Sequence, residues 1–314
     1  MMMENAEELS LHERRIRFDQ PGSIVVLGEV LWDIFPDSSR LGGAPLNFAA
    51  HAKRLGYQPI LISAVGTDEL GVEATRRITN LGLDASLLGC SKVFKTGTAS
   101  VEIDRDGEPS FAIQRPAAYD DVRLTAEDIL RIKRLNPGWL YYGTLYPSLP
   151  QPRVTLQQLF DALPGAIRFY DVNLRPGFDD PALVSELAAR ADVIKLNESE
   201  ALAVGASLGL PASVEEFCRR GAGRFGWSAV CITLGERGCA MFDGSEFVLA
   251  EGHSVQVVDT VGAGDAFAAA FMHGLIQRWP LGETAGFANR VGALVASRAG
   301  AIPEWSLADA SMLL

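Results

Sequence analysis

"VVDTVGAGDAFAAAF", from Val257 to Phe271, sets two glycines, a small residue between them and one aspartate in front of a long apolar stretch. Gly262, Ala263 and Gly264 let the backbone turn tightly and expose successive N–H groups at a helix start. Dipole and free donors together make such a start an anion site. Asp265 at its mouth would repel a phosphate that is merely bound. It makes sense if a proton must leave an acceptor beside a phosphoryl group that is gaining charge. The helix behind it is apolar nearly all round, hence buried, and can hold the carboxylate still. The plainer alternative is an aspartate that complements the helix dipole. "GAGDAF" also mimics the dinucleotide fingerprint GxGxxG, but the third glycine is missing and the stretch follows the last expected strand rather than the first. No Gly-Lys-Ser/Thr of a Walker A loop occurs.

Upstream of this stretch, apolar strand-like runs alternate with amphipathic helical ones. "SIVVLGEVLWDIF" opens as a strand, and "GGAPLNFAAHAKRLG" follows as a helix, with Pro45 in its first turn, Lys53 and Arg54 in its last and Gly56 as its stop. "ILISAVG", "WLYYGTL", "AIRFYDV", "DVIKL" and "SAVCITLG" read as further strands with helices between them, and "SVQVVDT" as the last strand. Such alternation predicts a mostly parallel sheet covered by helices on both faces. "TGTASVEIDRDGEPSFAIQ" breaks the pattern with two β-like runs around Asp106-Gly107, a hairpin signal, and "GCAMFDGSEFVLAEG" repeats the signal at Asp243-Gly244. With the loop after Asp33, the first hairpin forms a candidate small β lid over one edge.

The 314 residues are 48% hydrophobic and 21% charged, enough for one large domain or two smaller ones, and the net charge of −11 argues against nucleic acid or an anionic membrane as partner. No apolar run reaches the ~18 residues of a membrane span. The polar start, residues 1–22, reads as a loose tail rather than a signal peptide. Cys90, Cys218, Cys231 and Cys239 form no CxxC pair, and His12, His51, His253 and His273 are scattered. Reduced thiols in a cytoplasmic protein are the expectation, with no support for a zinc site.

In open parallel sheets, ligands bind beyond the carboxyl ends of the strands. Polar residues directly follow the apolar runs: Glu29 and Asp33; Asp171, Asn173 and Arg175; Asn197 and Glu200; Thr233 and Gly235; Asp259 through Asp265. Five strand ends are therefore expected to converge on one rim.

With these residues assembled, the chain resembles the ribokinase/PfkB family of sugar kinases from about Ile24 to Pro303. "GEVLWDIFP" and "LGGAPLNFAAHAKRLG" are similar to the family's N-terminal sugar-binding signature, "DTVGAGDAF" to its C-terminal signature, "KLNESEA" to its NxxE motif and "TLGERG" to its TxGxxG motif. The resemblance implies a ribokinase-like α/β fold over 23–314 as one domain, with a β lid from about 33–42 and 96–114. It implies a kinase using ATP and Mg²⁺ on a small sugar, with a homodimer through the lid as the candidate assembly.

The family's roles then fall on matching positions. Asp265 would be the general base, with the N–H groups of Gly262, Ala263, Gly264 and Asp265 as the anion hole. Asp33, Gly42, Gly43 and Asn47 would meet sugar hydroxyls, the glycines also serving as a hinge. Asn197 and Glu200 would hold Mg²⁺ through water. Thr233, Gly235 and Gly238 would lie along the nucleotide phosphates and Asn289 near the adenine. A potassium-type ion would sit beside Asp259. Each has a structural alternative: a helix start for Asn47, a turn for Gly42-Gly43, a capping box for Asn197 and Glu200, a packed polar side chain for Asn289.

The N-terminal stretches look most like the fructokinase branch. "DVNLRP" resembles a strand-end motif of fructokinases and of 2-keto-3-deoxygluconate kinases alike, where the arginine reaches the acceptor or the phosphate. Arg175 is the candidate for that cation here, with a structural ion pair as the alternative. The Leu-Trp that often follows is replaced by "GFDD", which leaves the acceptor open between these sugars, with nucleosides fitting less well. A sugar-binding regulator without turnover is the reading from another class, but it would be expected to have lost the base or the anion hole.

Overall fold

Along β1 (Ser23–Leu27), Ile24 and Val26 enter one hydrophobic core and Val25 and Leu27 enter another, as strand alternation requires of a sheet covered on both faces. The structure is a computed structural model, described here over residues 23–103 and 109–312. The expected tail over 1–22 and the turn at Asp106-Gly107 lie outside the described residues.

Strand β1 pairs in parallel with β4 (Gln58–Gly66) on one side and β8 (Trp139–Gly143) on the other. β5 (Leu88–Ser91) extends the first side; β9 (Ile167–Asp171), β10 (Val193–Asn197) and β11 (Ala229–Thr233) extend the second, all parallel. β12 (Cys239–Phe242) and β13 (Phe247–Ala250) close that edge antiparallel, giving the nine-stranded order β13-β12-β11-β10-β9-β8-β1-β4-β5. The strand order reverses at β1, so the crevice beyond the carboxyl ends of β1 and β8 is the switch point where such sheets bind ligands. A second sheet, ordered β3-β2-β6-β7, is built from β2 (Leu31–Ile34), β3 (Ser39–Gly42), β6 (Gly97–Ile103) and β7 (Pro109–Ile113).

One face of the large sheet carries α1 (Ala44–Arg54), α2 (Glu69–Asn80), α8 (Ala263–Gln277) and α9 (Leu281–Ala296). The other carries α3 (Ala126–Leu135), α4 (Pro150–Ala162), α5 (Pro181–Arg190), α6 (Glu198–Leu208) and α7 (Val214–Phe225). Helix α8 is buried from Ala266 through Leu275. Phe48 of α1 stacks on Tyr141 of β8 at 3.8 Å, and Phe271 of α8 meets Phe169 of β9 edge-on at 5.9 Å. These aromatic contacts hold α1 and α8 against the middle of the sheet, and so hold the polar residues at their ends near the switch point.

Three expectations about elements change. "SIVVLGEVLWDIF" is two strands in two sheets, divided at Gly28, where a Cβ would come within 2.3 Å of Pro45 Cγ. "SVQVVDT" forms no strand. Its alternation is used differently: Ser254, Val255 and Val257 line a cavity, while the N–H groups of Val258 and Asp259 donate to Ala296 O at the end of α9. Helix α3 has no counterpart among the expected elements, although Thr125 and Asp128 make its capping box.

Candidate active site

Helix α8 begins at Gly262, whose φ of +79° and whose missing Cβ, 2.5 Å from Ala301 O if present, admit only glycine. The Ala263 N–H turns back to Thr260 O at 3.3 Å, so Gly264 and Asp265 carry the first-turn amides that have no helical acceptor. Two cavities meet at this point and share Thr260 and Gly264. The smaller, about 270 Å³, lies under the second sheet and is lined by Glu29, Asp33, Gly43, Asn47, Asn173, Arg175, Gly262 and Asp265, among others. The larger, about 670 Å³, runs along the edge of the large sheet past Thr233, Gly235, Gly238, Ala263 and Asn289. Asp265 faces only the smaller one.

Burial lifts the Asp265 carboxyl to about 7, helped by the charge of Asp171 and opposed by Asn47, Lys195 and Arg175. Asn47 donates from Nδ2 to Asp265 Oδ2 at 2.8 Å, while its own Oδ1 is buried with no partner among the described residues. Asn47 lines the small cavity, and a buried polar atom left unpaired is costly. Burial likewise lifts Asp33 to about 6 and Glu29 to about 7, in each case against the pull of Arg175. The Arg175 guanidinium bonds Leu174 O at 3.3 Å and lines the small cavity.

Gly43 is the N-cap of α1 at a φ of +111°, and a Cβ there would lie 2.4 Å from Glu29 O. A Cβ on Gly42 would lie 3.0 Å from Asp33 Oδ2. The glycine pair therefore lets the second sheet return to α1 with Glu29 and Asp33 both turned to the cavity.

Asn197 and Glu200 form the reciprocal capping box of α6: Asn197 Oδ1 accepts from Glu200 N, and Glu200 Oε2 accepts from Asn197 N, both at 2.8 Å. Glu200 Oε1 accepts from Leu174 N at 2.8 Å, which ties the loop carrying Asn173 and Arg175 to α6. Asn197 is exposed at the rim, in register with Thr233, whereas Glu200 is buried. Asn289 donates from Nδ2 to Glu251 O at 3.0 Å, anchoring the segment after β13 to α9 beside the large cavity. Asp259, like Gly42, Asn197 and Glu200 among the expected residues, lines neither cavity; it pairs with Arg40 of β3 at 2.6 Å.

Two residues assigned no role from the sequence shape the site. Lys195, in the middle of β10, makes a buried ion pair with Asp171 at 2.9 Å, and Tyr141 donates to the other Asp171 oxygen at 3.0 Å. Burial alone would lower the Lys195 ammonium, yet Asp171, Glu200 and Asp265 hold it above its ordinary value. Its signal in the sequence is a lone lysine inside the apolar run "DVIKL". Glu29, seen only as a strand-end polar residue, proves to be part of the small cavity wall.

A ribokinase-like fold whose two cavities meet at a glycine-rich helix start, with a poised carboxylate on one side, defines a phosphotransferase. The model of the pfkB family of carbohydrate kinases matches residues 25–307, and the chain belongs to that family. A fructokinase of Salmonella typhimurium is 31% identical over 266 residues, covering 80% of this chain and 83% of that one. Among solved structures, a fructokinase of Xylella fastidiosa with bound ATP superposes with a TM-score of 0.80 at 22% identity, covering 93% of this chain and 97% of that one. A 2-dehydro-3-deoxygluconokinase of Thermotoga maritima does so with a TM-score of 0.82 at 19% identity, covering 94% and 98%.

Proposed function

We propose that this carbohydrate kinase transfers the γ-phosphoryl group of ATP to a primary hydroxyl of fructose. The observation that carries the reading is the meeting of the two cavities at the first turn of α8, with Asp265 on the side of the smaller one. Asp265 takes the proton of the acceptor hydroxyl as its oxygen bonds to phosphorus and the bond to ADP breaks. A carboxylate near 7 suits a base working at neutral pH. The amides of Gly264 and Asp265 stabilise the charge on the transferring group.

Asp33 and Asn47 Oδ1 take sugar hydroxyls, and Arg175 lies toward the phosphoryl group. The second sheet acts as a lid hinged at Gly42-Gly43, since a wet site would hydrolyse ATP. Thr233, Gly235 and Gly238 follow the phosphates, and Asn289 borders the base. Mg²⁺, bound with ATP, would neutralise phosphate charge. Asn197 is exposed at the rim, but its Oδ1 already accepts from Glu200 N and Ser199 Oγ, and both Glu200 oxygens accept backbone N–H groups, so the pair would meet a hydrated ion only through its water shell.

The Salmonella relative and the N-terminal stretches support fructose. A second acceptor, 2-keto-3-deoxygluconate, is favoured by one observation, the Arg175 cation in the cavity wall. Coupled ADP release over a panel of sugars, ketoacids and nucleosides tests the reading. Fructose should show the highest kcat/KM; a higher value for 2-keto-3-deoxygluconate would change the substrate and leave the kinase, and no turnover of any acceptor would sink both.

A further inference from the structure

Asp259 lies in the segment that leads into α8, one residue before Thr260, where the two cavities meet. Its carboxylate is surrounded by donors. Oδ1 accepts from Val261 N at 3.0 Å, and Oδ2 accepts from Gly300 N at 3.1 Å and from Arg40 Nη1 at 2.6 Å. A monovalent cation needs converging oxygen acceptors, and the hydrogen-bonded amides and guanidinium here present N–H groups instead. The ring of donors does not fit the potassium-type ion that the sequence resemblance implies at this residue.

Arg40 comes from the second sheet. In the antiparallel pairing of β2 with β3 it stands directly opposite Asp33, on the same face, and Asp33 lines the small cavity. Its guanidinium also lies over the Phe35 ring at 4.9 Å, which fixes the arm of the side chain. The charge that compensates Asp259 is therefore carried by β3, whose partner strand β2 lines the small cavity through Leu31 and Asp33.

We infer that Arg40 is a positioning residue for phosphoryl transfer: it supplies the fixed cation of the Asp259 segment, so that the anion-binding turn is ordered by the second sheet and not by a bound monovalent ion. The inference rests on the proposed kinase reading for its kinetic arm. When the sheet is in place, Arg40 neutralises Asp259 and holds Thr260–Gly262 in register with α8. When the sheet is away, Asp259 keeps a negative charge next to the phosphate-binding amides, which weakens them.

The test uses the full chain and its Arg40→Ala and Arg40→Lys variants, assayed with the acceptor that the panel identifies, in potassium and in tetramethylammonium salts at equal ionic strength. The wild type should turn over equally in both salts, and its thermal midpoint should be the same in both. Arg40→Ala should lose about two- to fivefold in kcat, the scale of one partly exposed charge pair. Its KM for ATP should stay near the wild-type value, added guanidinium should restore the rate, and Arg40→Lys should keep most of it. Activation of the wild type by K⁺, or a rise of its midpoint with K⁺, would overturn the inference, as would an Arg40→Ala variant with unchanged kcat. The midpoint comparison needs no substrate, so a failure of the kinase reading, seen as no turnover of any acceptor, is distinct from a failure of this one.

Discussion

Asn47 in the first helix and Asp265 at the start of α8 are 218 residues apart in sequence and are joined by a 2.8 Å hydrogen bond. The bond orients one carboxylate oxygen of Asp265, a residue that lines the small cavity. It also stabilises the ionised carboxylate against a burial that favours the neutral acid. The pair thus sets both where the candidate base points and how readily it accepts a proton.

Replacing that base isolates its chemical role. Asp265→Asn keeps the acceptor oxygen that Asn47 needs, so sugar and ATP binding should stay within a few fold. The kcat should fall ~10²–10⁴-fold, the usual worth of a positioned base. Steady-state kinetics giving near wild-type turnover would remove Asp265 from the mechanism.

The same variant makes a prediction about stability. Because burial raises the folded-state pKa of Asp265 to about 7, its contribution to stability is complete below the unfolded carboxylate range near ~4 and is lost as pH rises through about 7. Asp265→Asn escapes that loss. Its thermal midpoint should exceed the wild type's at about pH 8, and the gap should shrink toward about pH 4. A wild type that is the more stable of the two at the higher pH would contradict the assigned burial.

Lys195 and Asp171 should move the acid limb of kcat/KM in opposite directions. Lys195 lowers the Asp265 pKa and Asp171 raises it. Lys195→Met should therefore shift the limb to higher pH and destabilise the fold by about 3–5 kcal/mol, because Asp171 is left as an unpaired buried charge. Asp171→Asn should shift the limb to lower pH. Profiles that shift the same way in both variants would show that the ion pair does not tune the base.

Asp33 provides a test of the acceptor cavity. Asp33→Ala should raise the sugar KM by ~10–10²-fold, the worth of a hydrogen bond between a hydroxyl and a charged group. ATP affinity should barely change, because Asp33 lines only the small cavity. Equal losses for both substrates would indicate a general disruption of the fold.

Arg175 separates the two acceptors. With a neutral sugar, Arg175→Met should mainly lower kcat, because the cation then serves charge that develops on the phosphoryl group. With a ketoacid it should mainly raise KM, since a charge-assisted bond to the substrate is lost before reaction as well.

What the sequence by itself determined was whatever depends on near neighbours in the chain. The period of two in β1, the caps of the helices, and the glycines that open the turn before Asp265 are local properties, and each could be read from a few residues. Where local pattern misled, a local signal served another purpose: the alternation of "SVQVVDT" lines a cavity, and the run through Gly28 belongs to two sheets. Only the tertiary structure decided which polar residues meet. Arg40 with Asp259, Lys195 with Asp171 and Asn47 with Asp265 are pairings between distant segments, and no spacing in the chain announces them. The poise of Asp265 has the same origin. An aspartate in water titrates near ~4; this one is carried to about 7 by the desolvation and charges that folding gathers around it.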